Sequence, residues 1–185
     1  MAYILSIETA TKVCSIAIHH KGKLIAHKES FVPNSHSELI NIFINEVLDE
    51  AKILKKELNA ICISAGPGSY TGLRIGASTA KGLCFALEIP LIEIDTLRGM
   101  AQGVIENTPN LTQSDVICPM IDARRMEIYC AYYNLNGEVI KPPHAKIVDE
   151  NSFSETLLKH KMLMFGDGAA KCVAILNNKN VYHLE

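Results

Sequence analysis

The sequence predicts an α/β protein built from two related halves, each with the element order βββαβα. Each half begins with a strand that ends in a carboxylate, Glu8 in the first and Asp122 in the second, followed by a hairpin with a glycine turn. Each half later ends a strand at a Gly-x-Gly corner, at residues 66–68 and 166–168. Turn chemistry shared by chance is the alternative, but the common order favours duplication of one unit.

The elements follow from hydrophobic periodicity. Alternating or short apolar runs predict strands, and apolar residues at helical spacing predict helices, with Ser35 or Ser37 available to cap the first helix. The first half is predicted to contain strands 3–8, 13–19 and 23–31, helix 36–54, strand 60–65, helix 70–87, strand 91–94 and helix 97–106. The second half is predicted to contain strands 116–122, 127–134 and 138–141, helix 152–160, strand 162–165 and helix 169–176. We therefore expect an N-terminal half over residues 1–107 and a C-terminal half over residues 108–185.

The amino-acid composition limits the classes of protein to which this chain can belong. The chain has 185 residues, of which 48% are apolar, so it can bury a core. No apolar run approaches the roughly 20 residues of a membrane span, and the N-terminus lacks the pattern of an export signal. Six scattered cysteines without metal-ligand spacing predict reduced thiols in a cytoplasmic protein. The net charge of −2, without a basic stripe, predicts that any nucleic acid is held by another chain.

The stretch 66–76, Gly-Pro-Gly-Ser-Tyr-Thr-Gly-Leu-Arg-Ile-Gly, is the most distinctive in the chain. It has neither a Walker lysine nor the spacing of a dinucleotide-binding loop. It predicts a strand-to-helix corner in which Ser69 or Thr71 caps the helix and backbone N–H groups could hold an anion. A purely structural corner is the alternative.

The two long helices of the first half predict a surface for a partner protein. Gly72, Gly76 and Ala80 stand four residues apart on one side of the second helix, where a partner helix could pack closely. Leu39, Ile42 and Ile53 lie to one side of the main apolar stripe of the first helix, although isolated exposed apolar residues are also common. The predicted interface comprises His36, Leu39, Ile42, Phe43, Tyr70, Gly72, Ile75, Gly76, Thr79 and Ala80.

The repeated order resembles the duplicated actin-like ATPase architecture (ASKHA, ribonuclease H-like), which actin, sugar kinases and Hsp70 share. Within it, three stretches are similar to the TsaB (YeaZ) family: residues 7–11, residues 66–76 and residues 121–129. The matching motif positions are Glu8, Gly66, Pro67, Gly68, Ser69, Thr71, Leu73, Arg74, Asp122, Ala123, Arg124, Glu127 and Tyr129. Family members usually carry Asp at the position of Glu8. They also continue through a further helix and strand, which leaves truncation or a tag remnant open as explanations of the C-terminus.

The resemblance implies a non-catalytic scaffold subunit. It would bind TsaD directly, TsaE within the assembled complex, and a second copy of itself when alone. It would contact tRNA only through that complex, which forms N6-threonylcarbamoyladenosine in tRNAs that read codons beginning with A. The alternative is a free-standing actin-like ATP-dependent phosphotransferase or a metallopeptidase-like enzyme.

The residues themselves argue against an enzyme. Neither Glu8 nor Asp122 is followed by the glycine that lets a hairpin approach phosphates, and no two histidines have the spacing of a helical metal site. We therefore expect no catalytic residue, no cofactor and no metal.

Overall fold

The computed structural model describes residues 2–109, 111–112, 115–176 and 178–184. The chain divides into two units, Met1–Asp95 and Thr96–Glu185. The sequence placed this boundary after residue 107 instead. The difference arises because helix α3 (Thr96–Asn107) buries Leu97 and Ala101 against the sheet of the second unit.

The first unit contains a five-stranded sheet in the order β3-β2-β1-β4-β5. Its elements are β1 (Tyr3–Glu8), β2 (Cys14–His20), β3 (Lys23–Ser30), α1 (His36–Ala51), a 3₁₀ helix (Lys55–Glu57), β4 (Leu58–Ser64), α2 (Tyr70–Leu87) and β5 (Leu91–Ile94). The first three strands are antiparallel, whereas β4 runs parallel to β1 and β5 runs parallel to β4. Alternate residues of the central strands, such as Leu5 and Ile7 of β1, share one hydrophobic core with α1 and α2.

Helix α1 ends earlier than the predicted residue 54. Lys52 adopts a left-handed backbone with φ 56°, and its N–H bonds to the carbonyl groups of Asp49 and Leu48. This turn points Ile53 into the core, whereas the sequence predicted it to lie to one side of the apolar stripe of α1. The 3₁₀ helix follows because Glu57 Oε2 accepts a hydrogen bond from Leu54 N at 2.8 Å.

The second unit repeats the topology of the first, with strand order β10-β9-β6-β7-β8. Its elements after α3 are β6 (Asp115–Asp122), β7 (Glu127–Tyr133), β8 (Val139–Ile147), α4 (Ser154–Leu157), β9 (Lys161–Phe165), α5 (Ala169–Val173) and β10 (Val181–Leu184). Again three antiparallel strands are followed by two parallel ones. The predicted duplicated α/β fold is confirmed. Strand β10 was not predicted.

Strand β8 is longer than the predicted 138–141. It continues through Pro142 and Pro143, which a central strand would not accommodate because proline cannot donate a ladder hydrogen bond. As the edge strand of its sheet, β8 has one side without a neighbouring strand and tolerates them. Side chains on one face of the sheet pack with α4 and α5, and those on the other face pack with α3.

The small residues of α2 face the protein's own first hairpin. A Cβ on Gly72 would lie 2.1 Å from the Thr9 carbonyl oxygen, and one on Gly76 would lie 2.4 Å from Thr9 Oγ1. Ala80, on the same side, is completely buried. The prediction that this strip faces a partner helix is wrong, because Thr9 already fills the space that the missing side chains leave. The helix tolerates its glycines because they allow this backbone approach.

The close contact predicts opposite effects for two alanine substitutions in α2. Gly72→Ala should lower the free energy of unfolding by about 1–3 kcal/mol, because the new methyl group meets a backbone oxygen. Gly82→Ala is the matched control, since a Cβ there meets nothing within 4 Å. The control should raise stability by up to about 1 kcal/mol through helix propensity. Chemical denaturation measures both, and equal effects would show that the contact is absent.

Candidate functional site

The Gly-x-Gly corner of the first unit lies against the turn between β1 and β2. Ser69 N donates a hydrogen bond to Ala10 O at 2.6 Å, and Ser69 Oγ accepts one from Gly72 N at 3.2 Å. A Cβ on Gly68 would lie 2.4 Å from the same Ala10 oxygen, so only glycine fits there. The predicted capping role of Ser69 is confirmed. The corner thus fixes the start of α2 to the first hairpin.

Glu8 turns its carboxylate back onto its own hairpin. Oε1 accepts a hydrogen bond from Ala10 N at 2.6 Å, and Oε2 accepts one from the hydroxyl of Ser64 at the end of β4. Both oxygens are therefore bound by protein groups. An incoming anion would have to displace the carboxylate from the amide and would meet its negative charge.

The second hairpin is closed by Asp122 in a similar way. Asp122 Oδ1 accepts a hydrogen bond from Arg124 N at 2.9 Å, while Asp122 N donates to Asp167 Oδ1 at 2.9 Å. Arg124 and Arg125 both have left-handed backbones, with φ 71° and 47°, at the exposed tip of this hairpin. The turn closes where Ala123 N donates to the carbonyl oxygen of the first β7 residue at 3.1 Å.

Lys171 of α5 supplies a cation inside this second hairpin. Its ammonium donates to Asp122 Oδ1, to Arg125 O at 2.9 Å and to Glu127 O at 2.6 Å. All three ammonium hydrogens therefore have partners, and the carboxylate is neutralised. Sequence analysis missed both Lys171 and Ser64. A lysine one helical turn after the Gly-x-Gly corner was the available signal for the first.

The remaining motif residues surround these two corners. Gly66 and Pro67 are joined by a cis peptide, and the guanidinium of Arg74 lies 4.1 Å from the ring centroid of Tyr70. Tyr129 lies within β7. The other predicted positions beside them are Thr71, which is exposed, and Leu73, which is half-buried.

The predicted interface residues of α1 lie outside the groove between α1 and α2. His36 is buried, and its Nε2 donates to Thr11 O at 3.1 Å, so it anchors α1 to the first hairpin. Leu39 and Phe43 are half-buried, and Ile42 is half-exposed. None of these four residues lines the groove between α1 and α2.

That groove has a volume of about 410 Å³. It includes three predicted interface residues, Tyr70, Ile75 and Thr79, and six that were not predicted to belong to the interface. The latter are Ser37, Ile40, Asn41, Thr71, Arg74 and Ser78. Tyr70 is 69% exposed, which leaves a large aromatic side chain available at the rim.

The described part of the chain contains no group of histidine, cysteine and acidic residues that could hold a metal ion. Nor does any helix in these ranges have both the length and the apolar character needed to cross a membrane. The six cysteines are free thiols. Burial raises the pKa of Cys172 to about 11, and burial followed by the charge of Glu8 raises the pKa of Cys62.

Comparison with known proteins identifies the family. A family model described as "TsaD: tRNA N6-adenosine threonylcarbamoyltransferase" matches residues 12–175. The tRNA threonylcarbamoyladenosine biosynthesis protein TsaB of Escherichia coli is 37% identical over 130 residues, which are 70% of this chain and 54% of that protein. TsaB of Buchnera aphidicola subsp. Schizaphis graminum is 30% identical over 172 residues, covering 91% of this chain and 80% of that protein. The chain belongs to the TsaB/YeaZ family.

Solved structures agree with this family in fold. A Pseudomonas aeruginosa protein described as similar to peptidase YEAZ has a TM-score of 0.85 and 25% identity, covering 100% of this chain and 84% of that one. An inorganic polyphosphate/ATP-glucomannokinase from Arthrobacter has a TM-score of 0.55 at 10% identity, over 99% of this chain and 92% of that one, which shows a likeness of fold alone. The chain spans about half the length of the Escherichia coli and Haemophilus influenzae TsaB proteins, at 54% and 51%.

Because the Lys171 ammonium binds three acceptors of the second hairpin, we expect Lys171→Met to lower the stability of the protein. The substitution removes one hydrogen-bond donor from the Asp122 carboxylate and one from each of two carbonyl groups. Because the Lys171 and Asp122 side chains are 21% and 38% exposed, water partly replaces the ammonium, and we expect a loss of about 1–2 kcal/mol in unfolding free energy. The control Lys179→Met removes an exposed lysine and should change little. Urea denaturation giving equal values for both variants would contradict the structural role of Lys171.

Proposed function

We propose that this chain is a non-catalytic scaffold subunit. In this role it binds TsaD, and TsaE joins within the assembled complex, for the formation of N6-threonylcarbamoyladenosine in tRNAs that read codons beginning with A. The link to this modification is supported by the names of the TsaB relatives. The observation that carries the non-catalytic role is that both hairpin carboxylates are bound within the chain.

An actin-like ATPase offers free hairpin N–H groups to phosphate oxygens. In this chain Ala10 N and Arg124 N already donate to Glu8 and Asp122. The ammonium of Lys171 already balances the charge of the Asp122 carboxylate. In both halves the carboxylate and one hairpin N–H group are therefore bound to each other rather than available to a ligand.

The groove between α1 and α2 supports a protein partner. It combines an exposed aromatic residue, Tyr70, with an arginine stacked upon it, and both residue types are enriched at protein interfaces. Small polar side chains, such as Ser78 and Asn41, complete its walls. TsaD would occupy this groove in the complex, and a second copy of the chain would occupy it in a homodimer.

The non-catalytic role predicts that the purified protein releases no phosphate from ATP above the buffer background, with or without Mg²⁺. A phosphate-release assay measures this directly. Turnover that disappears in Asp122→Ala would overturn the proposal, because it would show a working site at the second hairpin. The same outcome would favour the phosphotransferase alternative.

The partner surface is tested by Ser78→Trp, which fills the groove from an exposed position of α2. Affinity for the organism's TsaD should fall at least about tenfold, because overpacking a close contact costs about 1–3 kcal/mol. Ala86→Trp is the matched control, since residue 86 is exposed on the same helix outside the groove. Titration calorimetry of both variants against TsaD separates the outcomes. Failure of the unmodified chain to bind TsaD would refute the scaffold role, whereas equal binding by both variants would refute only the groove.

A further inference from the structure

A second cavity of about 470 Å³ lies within the second unit, between the edge strand β8 and residues 151–156, which include the start of α4. Two lysines of β8, Lys141 and Lys146, line it together with Tyr132 and Phe153. The other lining residues are Ile140, Asn151, Ser154, Glu155 and Thr156. Its residues belong neither to the hairpin corners nor to the groove between α1 and α2, and ligand binding in this cavity is independent of the proposed function.

Strand pairing places the lysines on the same side of the sheet. Lys141 pairs with Tyr132 and Lys146 pairs with Ile128, and both partners point into the core shared with α4 and α5. A register shift along β8 brings the two lysines to the same face despite their odd spacing in the sequence. Two positive charges thus converge on one cavity.

Aromatic rings form the floor beneath these charges. The Lys141 ammonium lies 5.4 Å from the ring centroid of Tyr132, and that of Lys146 lies 5.1 Å from the ring of Phe153. Both rings are only 5% exposed, so they offer no face on which a planar ligand could stack. They instead hold the ammonium groups in place beside an apolar, weakly screening wall.

The lysine charges are not balanced by carboxylates. Among the described residues, neither Lys141 nor Lys146 forms an ion pair, and Glu155 is the one acidic residue of the cavity wall. Within the same ranges, the hydroxyl groups of Ser154 and Thr156 make no hydrogen bond to protein, so they are available as donors. The cavity therefore carries excess positive charge and spare donors.

Phe153 fixes the wall opposite β8. Its backbone is left-handed, with φ 67°, which is rare for a bulky aromatic residue. Burial of its ring in the core holds this conformation. The segment that carries Ser154 and Thr156 is consequently set in position before any ligand arrives.

We propose that this cavity binds a phosphate-bearing anion, with Lys141 and Lys146 as its two cationic ligands. A compact group with two negative charges matches two ammonium ions in one cavity better than a single carboxylate does, and lysine binds phosphate as a point charge. The cavity volume lies in the range of small-molecule sites. A free phosphorylated small molecule and a phosphate of tRNA share this chemistry.

Pyrophosphate is the probe that tests the site, titrated calorimetrically into the whole chain. Lys146→Met and Lys141→Met should each weaken binding by about tenfold, the usual effect of losing one charge-assisted hydrogen bond. Glu155→Gln should tighten binding several-fold, because it removes the one opposing charge. Lys161→Met is the matched control, since Lys161 also lies over an aromatic ring, 5.5 Å from the centroid of Tyr182, outside the cavity.

Each outcome of these titrations either supports the site or overturns it. Absence of binding at millimolar pyrophosphate, or equal weakening by Lys146→Met and Lys161→Met, overturns the site, and so does unchanged binding in Glu155→Gln. Where the site holds, competition by unmodified tRNA that Lys146→Met abolishes identifies a tRNA phosphate as the source. Pyrophosphate binding without such competition identifies a free phosphorylated molecule.

Discussion

The backbone contact between the first hairpin and α2 organises the first unit. The Thr9 carbonyl approaches the position where Gly72 lacks a side chain, and the next carbonyl, that of Ala10, accepts the N–H of Ser69. The following carbonyl, that of Thr11, is bound by His36 at the start of α1. Three consecutive peptide groups of one turn therefore position both helices. The groove between α1 and α2 has its shape because one hairpin holds both of its walls.

The two units share a topology but close their first hairpins with different chemistry. In the first unit a neutral hydroxyl, Ser64, binds Glu8, whereas in the second unit the ammonium of Lys171 binds Asp122. Gly168 also lies against backbone, since its Cβ would be 2.9 Å from the Ile121 carbonyl carbon, but this residue precedes Asp122, whereas Gly68 approaches Ala10, which follows Glu8. Both corners thus use a glycine for a close backbone approach, while the contact and the charge at each corner differ.

Much of the fold could be predicted because the patterns that determine it are local. Alternation predicted β1 within its observed bounds, and helical spacing predicted α2 from Tyr70 to Leu87. The ends of α1 and β8 could not be predicted, since a left-handed Lys52 and an edge position that tolerates proline depend on neighbouring segments. Strand β10 could not be predicted either, because its sequence pattern is short and its strand conformation depends on parallel pairing with β9.

Residue type and spacing along the chain were enough to predict the two Gly-x-Gly corners, the carboxylates that end β1 and β6, and the duplicated order of strands. What these features face depends on how the chain folds. Helical spacing places Gly72 and Gly76 on one side of α2 but does not say whether a partner or the protein's own Thr9 lies there. Likewise, Lys171 and Asp122 are far apart in the chain and meet only because α5 packs against β6, so their pairing is a property of the folded sheet.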